Sequence, residues 1–180
     1  IWVFTDNFTS LNGATNNTQV QDIKPGGSGA TLILSNGKKI ILSDVANGEL
    51  ANEDGVSISK SVDGKLVYQI LDKKEKGLTS STAEITNTLS TNRGQTFQVR
   101  LPDGSLVFLN AASSLTYTSS LLDKGKRVVK LQGDGYFEIT KDKAHPFVVK
   151  TARQEVEVLG THFNINSYEN EVAEKTTLLE

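Results

Sequence analysis

The chain has 180 residues, of which 37% are hydrophobic and 22% charged, and its formal net charge is −2. That length suits one domain or two small ones, and the composition excludes a disordered polypeptide and any overall electrostatic pull toward nucleic acid or anionic lipid. With no Cys, disulfides, thiolate metal sites and Cys nucleophiles are excluded as well.

Taken in chain order, residues 1–4 (Ile, Trp, Val, Phe) are apolar and are followed by a polar stretch. They read either as a terminal strand or as the trailing end of a membrane span, which needs about 20 apolar residues. There is no Met, so Ile1 is read as an internal residue of a longer protein. Asn7-Phe8-Thr9 and Asn16-Asn17-Thr18 fit the glycosylation sequon, which means little in a bacterial source. Residues 1–29 are expected to be an entry segment, juxtamembrane if the apolar start is the end of a span. "PGGSGAT" (25–31) lacks the Lys-Ser/Thr ending of a phosphate loop.

From residue 30 the punctuation is that of a β protein. Turn signals recur at Asn36-Gly37, Asp63-Gly64, Asp103-Gly104 and Gly133-Asp134-Gly135, separated by short β-branched and aromatic runs. Residues 30–71 are expected to be an N-terminal hairpin region. Residues 72–93 are expected to be a connecting loop, "DKKEKGLTSSTA" (72–83), and a short strand. The pattern of 31–48 is echoed by 98–115, and that of 62–70 by 133–139.

Residues 94–180 carry the densest pattern. In "LPDGS" (101–105), Pro102 presets φ and Gly104 supplies a positive φ, which predicts a turn. Counting parity from Arg127, Val129, Leu131, Gly133, Gly135, Phe137 and Ile139 share one face, while Val128, Lys130, Gln132, Asp134, Tyr136 and Glu138 share the other. This predicts a half-buried strand or hairpin with its core on the Phe137 side. Gly133 and Gly135 mark a bulge, a turn or the close approach of another backbone. "DKAHPFVVKT" (142–151) and "VEVLGTHFNI" (156–165) are strand-like again, with Pro146 at a strand start. The strands beside Pro102 and Pro146 are the candidate sheet edges. No segment carries a helical stripe over three turns. The fold class expected is all-β: an antiparallel sandwich or flattened two-layer sheet built from repeated hairpin units.

Several constellations invite a chemical reading. Asp134 and Glu138 could be the paired carboxyls of a glycosidase, which lie about 5–10 Å apart. Four residues of strand span roughly 13 Å, however, and a solvated face explains them more simply. The same holds for Glu155 and Glu157. His145 and His162 lack metal-ligand spacing and read as a loop residue and a strand-face residue. Ser113 and Ser114 sit in no nucleophile elbow and read as strand-end residues. Tyr117, Tyr136 and Tyr168 could form the platform of a carbohydrate-binding module. No catalytic, cofactor-binding or metal-binding residue is assigned, no cofactor is expected, and the residues alone lead to a β domain that works through its surface.

Four motifs in sequence carry a resemblance. "VRLPDGSLVFLNAASSLTY" (99–117) contributes Leu101, Pro102, Asp103, Gly104, Leu109, Asn110 and Ala111. "RVVKLQGDGYFEITKD" (127–142) contributes Gly133, Tyr136, Phe137 and Glu138. "HPFVVKT" (145–151) contributes Pro146 and Phe147, and "VEVLGTHFNI" (156–165) contributes Leu159, Gly160, Thr161, Phe163 and Asn164. In this order they resemble the FecR family of bacterial anti-sigma sensors, of the Bacteroidetes type, over residues 94–180. Asp134-Gly135 replaces the family's usual Glu-Ala, Phe108 stands where Trp is common, and His145 stands where Arg is frequent. The resemblance implies a non-enzymatic periplasmic domain of an inner-membrane-anchored protein. It implies a sigma factor bound through an upstream cytoplasmic segment, one upstream membrane helix, and a signal received from the periplasmic signalling domain of a TonB-dependent outer-membrane receptor. It implies no nucleic-acid contact, and the motif residues are expected to build the fold rather than touch the partner. "EKTTLLE" (174–180) looks like a cut before a final strand and a further small domain.

Overall fold

The structure is a computed structural model that describes residues 26–53, 56–70 and 85–179. The apolar residues 1–4, both sequons and the polar 72–83 loop lie outside the described residues. The elements are β1 (Gly27–Ser28), β2 (Thr31–Ile33), β3 (Lys39–Ile41), β4 (Gly48–Glu53), β5 (Val56–Lys60), β6 (Leu66–Ile70), β7 (Thr86–Ser90) and β8 (Gln95–Arg100). They continue with β9 (Leu106–Leu109), β10 (Ser114–Asp123), β11 (Lys126–Glu138), β12 (Phe147–Lys150), β13 (Glu155–Val158), β14 (His162–Ser167) and β15 (Lys175–Leu178). Among the described residues there is no helix, and so none long and apolar enough to cross a membrane.

The strands form one curled sheet with two arms, and β11 belongs to both. Its first half pairs with β10 and β12, extending through β7, β2 and β3 on one side and β13 on the other. Its second half pairs with β9 and β14, extending through β8, β6, β5 and β4 on one side and β15 on the other. Burial alternates along β11 without a break: Arg127, Val129, Leu131, Gly133, Gly135 and Phe137 all face inward. Both arms therefore curl toward the same side and enclose one core. Leu32, Leu89, Leu115, Phe147 and Val149 enter it from the first arm, and Ile58, Phe97, Val107, Phe163 and Ile165 from the second. Full burial of such side chains stabilises by about 1.5–3 kcal/mol each. Phe137 stacks on Phe163 with centroids 5.0 Å apart. Tyr117 and Tyr68 meet edge-to-face across the core, and the Tyr117 hydroxyl donates to that of Tyr68 at 2.7 Å.

Sequence reading is matched in fold class but not in every pairing. The sheet is mixed: β11–β12, β6–β8 and β1–β8 run parallel. A parallel neighbour for β11 is possible because its second half belongs to the other arm. Residues 131–146 then supply the long return path a parallel connection requires. The strands beside the prolines are interior, not edges, since β8, β9 and β12 each pair on both sides. Pro102 lies within a turn, and Pro146 precedes β12, where its carbonyl accepts the Arg127 N–H at 2.8 Å. A missing N–H costs nothing at either place. Gly133-Asp134-Gly135 is not a turn but the interior of β11, so 133–139 is no structural counterpart of 62–70.

Three turns are true copies. Leu34–Lys38, Ser61–Lys65 and Leu101–Ser105 share one pattern, in which the first residue's N–H reaches the fifth residue's carbonyl and the glycine N–H returns to the first carbonyl. The glycines have φ of 81°, 79° and 86°, a left-handed conformation that glycine adopts without a Cβ penalty.

Candidate functional site

The four motifs do not scatter over the surface. They gather at two places along β11, its outer end and its bend between the arms.

At the outer end the organising residue is Arg127. It lies on the inward parity of β11 and is 4% exposed. Its Nη1 donates to Asp103 Oδ2 at 2.6 Å and to the Thr140 carbonyl at 3.0 Å, and its Nε donates to the His145 carbonyl at 2.8 Å. The guanidinium lies 5.3 Å from the Phe147 ring centroid. Asp103 also holds its own turn: Oδ1 accepts the Ser105 N–H at 3.0 Å and Oδ2 the Ser105 hydroxyl at 2.7 Å. Ser105 Oγ in turn accepts the Thr140 N–H at 3.1 Å. A buried arginine requires an anion and several acceptors, and the Leu-Pro-Asp-Gly turn supplies the anion.

The segment between β11 and β12 passes over this cluster. Its backbone reaches the Leu159–Thr161 loop through Ile139 N–H to Thr161 O and Asp142 N–H to Leu159 O, both 3.1 Å. Gly160 has φ 136°, and a Cβ there would stand 2.5 Å from Lys141 Cα, so the loop and the segment approach too closely for any other residue. Thr161 Oγ1 is buried and, among the described residues, has no hydrogen-bond partner. Within the segment, Asp142 accepts the N–H groups of Ala144 and His145 and pairs with the His145 ring at 2.8 Å. That ring hydrogen bond, with the two N–H groups, holds the Asp142 carboxyl below its ordinary range.

At the bend, Gly133 (φ 94°) sits against Ser113, whose Cα would be 2.8 Å from an added Cβ. Of the three readings open for this glycine, the close approach of a second backbone is the one observed. Ser113 Oγ accepts the Asp134 N–H at 2.9 Å, and the Asn110 N–H reaches Asp134 O at 3.0 Å. Ser167 Oγ donates to Gly133 O at 2.8 Å, and the Tyr168 hydroxyl to Ala111 O at 2.6 Å. Ser113 is thus a strand-end residue fixing the crossover.

The remaining candidates part company. Phe137 is 0% and Ile139 5% exposed, with Asp134 and Glu138 on the opposite, half-buried face. Asp134 Oδ2 accepts from Asn164 Nδ2 at 3.3 Å, while Glu138 stands opposite His162 and Leu106. No cleft brings the two carboxyls together. Glu155 and Glu157 face outward on β13, ion-paired with Lys150 (3.2 Å) and Lys126 (2.6 Å). His145 is an exposed loop residue, and His162 begins β14, edge-on to Tyr136 at 6.5 Å. No group of three His, Asp or Glu side chains able to hold a metal exists among the described residues. The tyrosine platform is not formed: Tyr117 is in the core, Tyr168 is tied to Ala111, and only Tyr136 lies on the outer face, beside Phe108 at 5.6 Å. Sequence reading missed Arg127 as a site residue. The signal was its parity, which places a cation among the inward-facing residues of the strand.

Comparison with known proteins gives these clusters a context. The family model described as "FecR protein" matches residues 87–178. Two crystal structures of a protein from Parabacteroides distasonis ATCC 8503, provisionally assigned as an anti-sigma factor, are similar to this chain. One, at 2.50 Å, has 32% identity and a TM-score of 0.50 over 52% of this chain and 43% of its own. The other, at 1.65 Å, has 33% identity and a TM-score of 0.49 over 51% of this chain and 42% of its own. This chain therefore spans less than half the length of those structures. No curated protein matches. The family match covers both clusters and more than half the sequence, and the chain belongs to the FecR family.

Proposed function

We propose that this chain is the periplasmic sensor part of a membrane-anchored anti-sigma regulator. In this reading it receives a signal from the periplasmic signalling domain of a TonB-dependent outer-membrane receptor. It controls an extracytoplasmic-function sigma factor through a cytoplasmic segment upstream of the residues described. Residues 1–29 are then juxtamembrane, and residues 94–180 form the FecR-like unit on which residues 30–71 pack. The domain acts by protein contact, without a cofactor and without chemistry of its own.

The observation that carries the reading is the family match over 87–178, joined by the likeness to a solved anti-sigma factor candidate at 32% identity. The geometry supports it indirectly. The motif residues serve each other, in turns, crossovers and a buried ion pair, and no cleft with converging reactive groups is left to them. A sensor of this kind needs a recognisable surface and an element that can change state, not a nucleophile.

The test uses the intact protein and the purified periplasmic signalling domain of a TonB-dependent receptor from the same organism. Capture of that domain in a pull-down, together with loss of sigma-dependent transcription control when the periplasmic part is deleted, is the expected result. Absence of any binding, with transcription control unchanged by the deletion, would overturn the reading.

A further inference from the structure

The segment 139–146 is anchored in the core only at its two ends, by Ile139 (5% exposed) and by Phe147, which follows it (0%). Between them Lys141, Lys143, Ala144 and His145 are exposed, and no side chain enters the core. What holds the segment down is polar. Two of its carbonyls bond the Arg127 guanidinium and a third bonds the Arg127 N–H. Its own N–H groups reach Ser105 Oγ, Thr161 O and Leu159 O. Arg127 is the hub, and among the described residues its one ion-pair partner is Asp103, on a turn whose Pro102, Asp103 and Gly104 are partly exposed.

We infer that residues 139–146 form a latched strap, a unit that opens locally without global unfolding, and that the Asp103 carboxylate is the catch. A segment with no apolar anchor between its ends depends there on hydrogen bonds and lies toward the low-stability end of the molecule. Here three of those bonds converge on Arg127. Arg127 remains in place only while an anion compensates it, since an uncompensated charge in a dry site is strongly destabilising. Shifting the 101–105 turn removes the anion and the Ser105 hydroxyl together, freeing the Thr140 and His145 ends in one event. Opening uncovers the Phe147 ring and the Leu159–Thr161 backbone. A body that binds the turn in its shifted position therefore selects the open strap, whatever its identity. The device stands on Arg127 and Asp103 and does not depend on the receptor proposed above.

Amide hydrogen exchange on the intact chain tests it. Asp103→Asn keeps the size of the side chain and an acceptor for the Ser105 N–H but removes the anion. The amides of Arg127, Ile139, Thr140 and Asp142 are expected to exchange about tenfold faster or more in this variant and to be at least about tenfold less protected than the amides between β7 and β10. Glu157→Gln, which breaks the exposed ion pair to Lys126 on the same strand, serves as the control and leaves the strap amides as they were. Strap amides as well protected as those of β7 and β10, no acceleration at the strap, or the same effect from Glu157→Gln would each overturn the proposal. Should Asp103→Asn fail to fold, the unmodified protein decides: strap amides exchanging through an opening cheaper than global unfolding support the latch, and protection equal to that of β7–β10 sinks it.

Discussion

Glycine and tyrosine give the sharpest tests among single residues. Gly133 and Gly37 both have positive φ, but only Gly133 faces a neighbour, Ser113, whereas nothing lies within 4 Å of a Cβ at Gly37. Gly37→Ala is expected to cost the backbone penalty alone, about 1–2 kcal/mol. Gly133→Ala adds overpacking and is expected to cost about 2–4 kcal/mol or more. Urea unfolding midpoints of the two variants should rank in that order. The Tyr117 hydroxyl is pushed well above its ordinary value of 10.0, first by burial and then by the Tyr68 hydroxyl. Because the folded value is raised, the contribution is complete below about pH 10, where the unfolded residue titrates. It is lost as pH rises beyond that. Absorbance of tyrosinate should show this residue ionising only together with unfolding. Sequence parity identified the faces of β11 correctly from Val129 onward, and the same count extended to Arg127 points it inward. A charged residue is nevertheless expected in water, and nothing in the local sequence of Arg127 announces the carboxylate 24 positions earlier that makes burial tolerable.

Elements were legible wherever a local rule determines them. Asn36-Gly37, Asp63-Gly64 and Asp103-Gly104 announced three turns, and the structure makes them identical. Pairing was less legible, because it depends on where distant strands come to rest. The parallel β11–β12 contact follows from β11 serving two arms, and no dipeptide encodes that. Gly133-Asp134-Gly135 misled in the same way: turn residues lie in a strand interior because another backbone must pass. Two predictions belong here. Removing either member of the Arg127–Asp103 pair, as in Asp103→Leu or Arg127→Met, should cost about 3–5 kcal/mol, and the double variant should recover much of it, because no lone charge then remains buried. Denaturant midpoints of all four proteins close that cycle. Just past β15, the Leu179 N–H bonds His162 O at 2.9 Å, so by alternation the Thr177 N–H points into the sheet and the Thr176 N–H away from it. Thr177→Pro should lower the thermal midpoint clearly more than Thr176→Pro.

For the molecule as a whole, stability is expected to fall steeply at alkaline pH. Among the described residues, the two carboxyls held low are exposed: Asp63, lowered to about 2 chiefly by its hydrogen bond to Lys65, and Asp142, lowered chiefly by His145. Depressed values stabilise above about pH 4 and lose that contribution as pH falls toward 2. Exposed pairs contribute little, so these two carboxyls add little to the acid limb of a stability curve. The alkaline limb, controlled by Tyr117 in the core, should be steep. Chemical denaturation at a series of pH values would show both. The hub strand β11 has a further consequence. Every ladder bond of its first half belongs to one arm and every one of its second half to the other, so a pull along this strand loads both arms in shear simultaneously. In a force-spectroscopy experiment the domain should yield in a single high-force rupture, as a stiff mechanical link rather than a stretchable spring.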